Sequence, residues 1–278
     1  MSFEDYLREQ LSGLPAGPVS EAMGYSLMAG GKRVRPRLLF SLLQDYGVPE
    51  EAGYPAAAAL EMIHTYSLIH DDLPCMDNDD LRRGKPTCHK VYGETMALLA
   101  GDGLLTYAFE VLMKTDWPGA DLPFMTRVLA RCAGPAGMIY GQQLDLQAEK
   151  GEALDIEAIL EIDAYKTGCL LQAALLLAAG IAAHPADVDW LTSAGRELGL
   201  LFQIQDDILD ATADEETMGK SLSDAENGKQ TAISLLGIDG AGRLASEKAA
   251  SVRQALGALM TPTPRTEDFL EVIISRSH

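Results

Sequence analysis

Two acidic clusters and two basic clusters hold the residues whose types and spacing could do chemistry. The first acidic cluster follows an apolar run, Ser67-Leu68-Ile69-His70, and reads Asp71-Asp72-Leu73-Pro74-Cys75-Met76-Asp77-Asn78-Asp79-Asp80. On an ideal helix Asp71 and Asp77 are about 600° apart, a net offset of about 120°. Pro74 cannot continue a regular helix, so a kink or bulge there would bring Asp77 back beside Asp71. The second cluster is Phe202-Gln203-Ile204-Gln205-Asp206-Asp207-Ile208-Leu209-Asp210. Asp206 and Asp210 lie one turn apart on one face, and Gln203 shares that face a turn earlier. Adjacent carboxylates on an apolar helix repel each other and resist burial. A hard divalent cation relieves both costs, and magnesium characteristically completes its shell with water and substrate phosphates.

The basic clusters are Lys32, Arg33, Arg35 and Arg37, then Arg82, Arg83, Lys85 and Lys90, together eight of 22 basic residues. Taken singly, each cluster of either sign reads as an ordinary solvated charge run or helix end. Carboxylates, a metal and guanidinium groups together are what a diphosphate site requires. The Asp77–Asp80 run lacks the glycine and glutamate of a helix–loop–helix calcium site. A net charge of −19 excludes the basic surface that nucleic-acid binding needs.

These residues need elements to carry them. Hydrophobic residues are 47% of 278, aromatics 6%, and Ala and Leu dominate over β-branched residues, which biases the chain toward helix. Periodicity predicts helices near 3–11, 19–29, 33–46, 54–72, 92–114, 122–149, 155–182, 187–210, 229–236, 240–259 and 265–275. Gly and Pro punctuate between them, and no strand-like alternation is long enough for a sheet. The polar stretch 211–228 is expected to be a loop over the site. The fold class expected is all-α, a single domain over 1–278 with about ten or more helices around a central cavity. Cys75, Cys88, Cys132 and Cys169 have no zinc spacing and are expected to be free thiols in the cytoplasm. The N-terminus is acidic, unlike a secretory leader. Ala173–Ala183, the longest apolar stretch, is too short to cross a bilayer and is expected to be a buried helix.

With the motifs in order, the sequence resembles the trans-prenyl diphosphate synthases, and among them the bacterial farnesyl diphosphate synthases. Asp71–Asp77 looks like the first aspartate-rich motif in its form with two extra residues, and Asp206–Asp210 like the second. Gly30-Gly31-Lys32-Arg33-Val34-Arg35-Pro36, Leu81–Thr87, Gly141-Gln142-Gln143-Leu144-Asp145 and Lys166-Thr167-Gly168 match further motifs in sequence order, covering the chain from about Val19. The resemblance implies an isoprenoid-synthase-like helical fold, a homodimer, and three Mg2+ per site when the allylic diphosphate is bound. It implies that Lys32, Arg35, His64 and Arg83 hold isopentenyl diphosphate. Asp71, Asp77 and Asp206 would ligate magnesium, with Asp72, Asp207 and Asp210 in support. Arg82, Lys166 and Lys220 would contact the allylic diphosphate, with Thr167 and Gln203 beside the developing carbocation.

The implied reaction is head-to-tail condensation of isopentenyl diphosphate with dimethylallyl and geranyl diphosphates, giving chiefly farnesyl diphosphate. Geranylgeranyl diphosphate is the alternative product. In the family, a bulky residue at the position of Tyr66, five before Asp71, accompanies fifteen-carbon products. A class I terpene cyclase would mix Asn, Ser or Thr with Glu in its second motif, whereas Asp206–Asp210 is all carboxylate. A non-catalytic subunit would have lost motif aspartates, and this chain keeps them. Departures are Ala232, where tyrosine is frequent, a short segment before Gly30 and a C-terminus with little positive charge.

Overall fold

The computed structural model describes residues 1–148, 154–216 and 230–275, with side chains in the middle stretch to residue 212. Its architecture is helical throughout, apart from one two-residue strand pair. In chain order the helices are α1 (Phe3–Ser12), α2 (Pro18–Leu27), α3 (Val34–Asp45), α4 (Tyr54–Asp71), α5 (Cys88–Tyr92) and α6 (Glu94–Leu112). Then come α7 (Leu122–Ala133), α8 (Met138–Ala148), α9 (Ile156–Asp163), α10 (Cys169–Ala182), α11 (Val188–Glu216), α12 (Ala232–Gly257) and α13 (Pro264–Ile274).

Two helices form the centre because they are apolar on every side. In α4, Pro55 stands in the first turn, where its missing N–H costs nothing. The small residues Ala56–Ala59 then let neighbours approach closely, and burial continues through Leu60, Met62 and Ile63. In α10 the run Leu170–Ile181 is buried except for Gln172. α4 packs on α6 and α3, and α10 packs on α11, α3, α7 and α4. α11 has a one-sided pattern, with Leu191, Ala194, Leu198 and Leu201 buried at helical spacing.

Several expected boundaries change. The helix expected at 122–149 is two helices, because Gly134 and Pro135 interrupt it. α11 continues to Glu216, six residues past its expected end, and the remainder of the expected 211–228 loop is outside the described residues. Gly237, at φ 68° and ψ 169°, breaks α12 inside the gap expected between two helices. α9 and α10 join through a π-helical turn, Ala164–Gly168, into one helix from Ile156 to Ala182. That helix is long and apolar enough to cross a membrane, which corrects the reading from Ala173–Ala183 alone, but 72% of its apolar window is buried inside the protein. α6 also has that length and composition, with 39% of its window buried.

Candidate active site

α4 ends at Asp71, and the chain turns straight back on it. The amide of Asp77 donates to the carbonyl of Asp71 at 2.9 Å, and those of Met76 and Asn78 both donate to Leu73 O, at 2.8 and 3.2 Å. Asn78 takes the left-handed conformation, φ 55°, that asparagine tolerates better than most residues. The two aspartates therefore stand together although an unbroken helix would separate them. Burial pushes the Asp71 carboxyl up to about 6. Lys166 pulls it back down and Asp77 pushes it further up. Gln142 Nε2 of α8 donates to Asp71 Oδ1 at 2.8 Å. Asp72 points elsewhere. It is buried and holds Arg82 through Nε at 2.7 Å and Nη2 at 2.6 Å.

Arg82 belongs to the strand pair Leu81–Arg82 and Lys85–Pro86, which the sequence reading did not anticipate. Arg83 and Gly84, both at positive φ (54° and 73°), make its two-residue turn. The turn carries Arg83 to the loop before α3, where its Nη1 donates to Gly30 O. Gly31 lies under the same guanidinium. Its φ is 133°, and a Cβ there would sit 2.7 Å from Arg83 Nη1, so glycine is needed for both conformation and space.

The basic residues after Gly31 divide by backbone conformation. Arg33, at φ 46°, turns away and is consumed by Glu4 at 2.9 Å, Glu61 at 2.8 Å and the Leu27 carbonyl at 2.9 Å. Lys32 is exposed, and Arg35 faces inward with its Nε buried and without a hydrogen-bond partner. Burial lowers the Arg35 pKa against the attraction of Glu61, with Arg83 adding to the lowering and Asp206 opposing it. His64 is driven well below its ordinary value, first by burial and then by Arg35 and Arg83, so it is neutral near pH 7.

The π turn places Lys166 and Thr167. Lys166 Nζ pairs with buried Asp145 of α8, and Thr167 Oγ1 donates to Gln203 Oε1 at 3.2 Å, while Gln203 Nε2 donates to Asp207 Oδ1 at 3.1 Å. The backbones around this turn are unusually close. A Cβ on Gly199 would collide with Gly168, and one on Gly141 with the backbone of Lys166. A wide turn of this kind is frequent at functional sites.

A cavity of about 770 Å³ gathers Arg35, His64, Tyr66, Asp71, Lys166 and Thr167 from α3, α4 and the π turn. Tyr66 is on its wall, with its hydroxyl buried and unpartnered and its pKa pushed up to about 12 by burial and then by Asp71. Asp206 enters this field through its attraction to Arg35. Among the described residues, no three His, Cys, Asp or Glu side chains converge into a metal cage. Asp71 and Asp77, brought together at the end of α4, suit magnesium, which binds through one or two carboxylates and fills its shell with water and phosphate oxygens. The raised Asp71 carboxyl is a half-buried anion that a cation would stabilise. Lys220 lies outside the described residues. Gln142 and Asp145 were expected only as parts of a motif, and each proves to hold a site residue.

Residues 17–262 match the family model for polyprenyl synthetases. The chain is 47% identical over 262 residues to farnesyl diphosphate synthase of Geobacillus stearothermophilus, covering 87% of this chain and 86% of that one. It is similar to an apo crystal structure of an FPP/GFPP synthase from Zymomonas mobilis, with TM-score 0.84 and 36% identity over 98% of this chain and 93% of the other. A geranyltransferase from Helicobacter pylori, complexed with magnesium and isoprenyl diphosphate, has TM-score 0.81 and 34% identity, covering 98% of this chain and 94% of its own.

Proposed function

The chain belongs to the polyprenyl synthetase family and is a prenyltransferase, and from that premise we propose that it condenses isopentenyl diphosphate head-to-tail with dimethylallyl and geranyl diphosphates to give farnesyl diphosphate. The observation that carries this reading is the single cavity where inward-facing Arg35 and neutral His64 meet Asp71, Lys166 and Thr167.

Lys32, Arg35, His64 and Arg83 bind the diphosphate of isopentenyl diphosphate. The unpartnered Arg35 Nε supports this, because a buried, positively charged N–H without an acceptor calls for an anion. Lys166, Arg82 and Lys220 hold the allylic diphosphate. Asp71 and Asp77 on one side and Asp206 on the other would hold magnesium, three ions per site, with Asp72, Asp207 and Asp210 in support. Bound magnesium supplies positive charge against the leaving diphosphate, usually among the largest contributions to such a reaction. Thr167 and Gln203 direct their oxygens toward the carbon centre that becomes electron-poor as the allylic carbon–oxygen bond breaks. Tyr66 and the apolar wall exclude water, so the alkene of isopentenyl diphosphate is the nucleophile. The proton lost as the new double bond forms goes to the departing diphosphate.

We read the whole chain as one catalytic unit. The exposed Leu98, Leu99 and Met113 leave an apolar stripe on and beside α6, and a second copy of the chain would cover it as a homodimer. Free Cys75, Cys88, Cys132 and Cys169 support a cytoplasmic enzyme. The test supplies labelled isopentenyl diphosphate with five-, ten- and fifteen-carbon allylic starters and sizes the products by chromatography. Fifteen-carbon product from the first two starters, abolished by chelation and restored by magnesium, is expected. No extension of any starter would overturn the reading.

A further inference from the structure

We propose that His70 and Gly101 form a brace that fixes how deep a growing prenyl chain reaches, which makes His70 a positioning residue for product length. This rests on the reading that the cavity elongates an allylic diphosphate.

Tyr66 and His70 are one turn apart on the same face of α4. Their rings meet edge-on, with centroids 5.8 Å apart and planes at 75°, and both line the cavity. On its far side, His70 is fixed by α6. Its Nε2 lies 3.0 Å from the carbonyl oxygen of Leu98. A carbonyl only accepts, so Nε2 carries the proton and donates. The imidazole edge also lies against Gly101, where a Cβ would overlap Nε2 and Cδ2 of the ring. α6 therefore approaches α4 here only because residue 101 has no side chain.

Tyr66 has no such anchor. Its hydroxyl is buried without a hydrogen-bond partner, so packing alone decides where the phenol stands. The aromatic ring packed against it is that of His70. A barrier held only by packing moves when its neighbour moves. The backbone of α6 thus fixes His70, His70 fixes Tyr66, and Tyr66 limits the chain. His70 need not touch the reacting atoms for this.

The brace predicts opposite shifts from two substitutions. His70→Ala frees Tyr66 to swing and should raise the ratio of twenty- to fifteen-carbon product about tenfold. His70→Gln keeps a donor for Leu98 O and should return most of that ratio. Gly101→Ala pushes the imidazole toward the cavity and should raise the ratio of ten- to fifteen-carbon product. Product ratios are measured by chromatography of labelled products on protein shown by circular dichroism to be folded. A merely structural role would lower the yield of folded protein and leave the ratios alone. If the parent makes fifteen-carbon product and either folded variant keeps the parent ratios, the brace is wrong and the synthase reading stands. A parent that extends no starter sinks the underlying reading instead.

Discussion

Asp71 and Asp206 both sit on long apolar helices, but the helices present them by different means. On α11 the backbone is regular through Asp206, Asp207 and Asp210, so helical spacing alone sets which carboxylates share a face, and Gln203 of the same helix bonds Asp207. At the end of α4 the helix has stopped. Asp77 reaches Asp71 through a folded-back loop, and the supporting glutamine, Gln142, comes from α8. One acidic wall is local and stiff, while the other is assembled from segments far apart in sequence.

The largest expected effects test whether the two sides share one task. Asp71→Asn and Asp206→Asn should each lower turnover by about a thousandfold or more with the fold intact, since each withdraws several kcal/mol of transition-state stabilisation. Steady-state rates with geranyl and isopentenyl diphosphates measure this, and near-parent turnover in one variant would confine the metal to the other side. The next effect separates the substrates. Arg35→Ala should raise the KM for isopentenyl diphosphate by about a hundredfold, and Lys166→Ala should act mainly on the allylic KM, as removal of a charge-assisted contact of about 3 kcal/mol requires. Equal effects on both constants in both variants would mean the sites are misassigned. Tyr66→Ala should move the product toward twenty carbons or longer, at a stability cost of about 3–5 kcal/mol for a buried aromatic. Product sizing and thermal melts check the two parts separately. Unchanged fifteen-carbon product would place the barrier on other residues. The smallest effect bears on the assembled side alone. Gln142→Leu removes one hydrogen bond worth about 1 kcal/mol and should reduce turnover severalfold, with little change in either KM.

What the sequence discloses follows the same division. The face shared by Gln203, Asp206 and Asp210 is legible because it depends only on 3.6-residue periodicity, as are the buried courses of α4 and α10. The return of Asp77 is legible as a requirement, through Pro74, but not as a geometry. Arg33 and Arg35 look equivalent in the string. What separates them is the left-handed backbone at Arg33, which sends it to Glu4 and Glu61 and leaves Arg35 facing the cavity. The pairing of Lys166 with Asp145 joins helices 21 residues apart, and no local pattern encodes it. The Arg82–Asp72 contact needs the short strand pair, whose two residues per strand are too few to show alternation.

The π turn at Ala164–Gly168 has one more consequence. A five-residue loop of helix holds one residue more than an α turn, so it acts as an insertion absorbed without breaking the rod. Every position beyond it is set back by about 100° relative to an unbroken α-helix of the same sequence. The phase of α10 against α3, α7 and α11 is therefore uncoupled from the phase of α9, and Lys166 and Thr167 stand where the two phases are reconciled. Excising a single residue from the turn would make the local helix more regular. It would leave the apolar course Leu170–Ile181 in its sockets but remove the wide turn that carries Lys166 and Thr167, so that a shorter and locally better helix would present those two side chains differently.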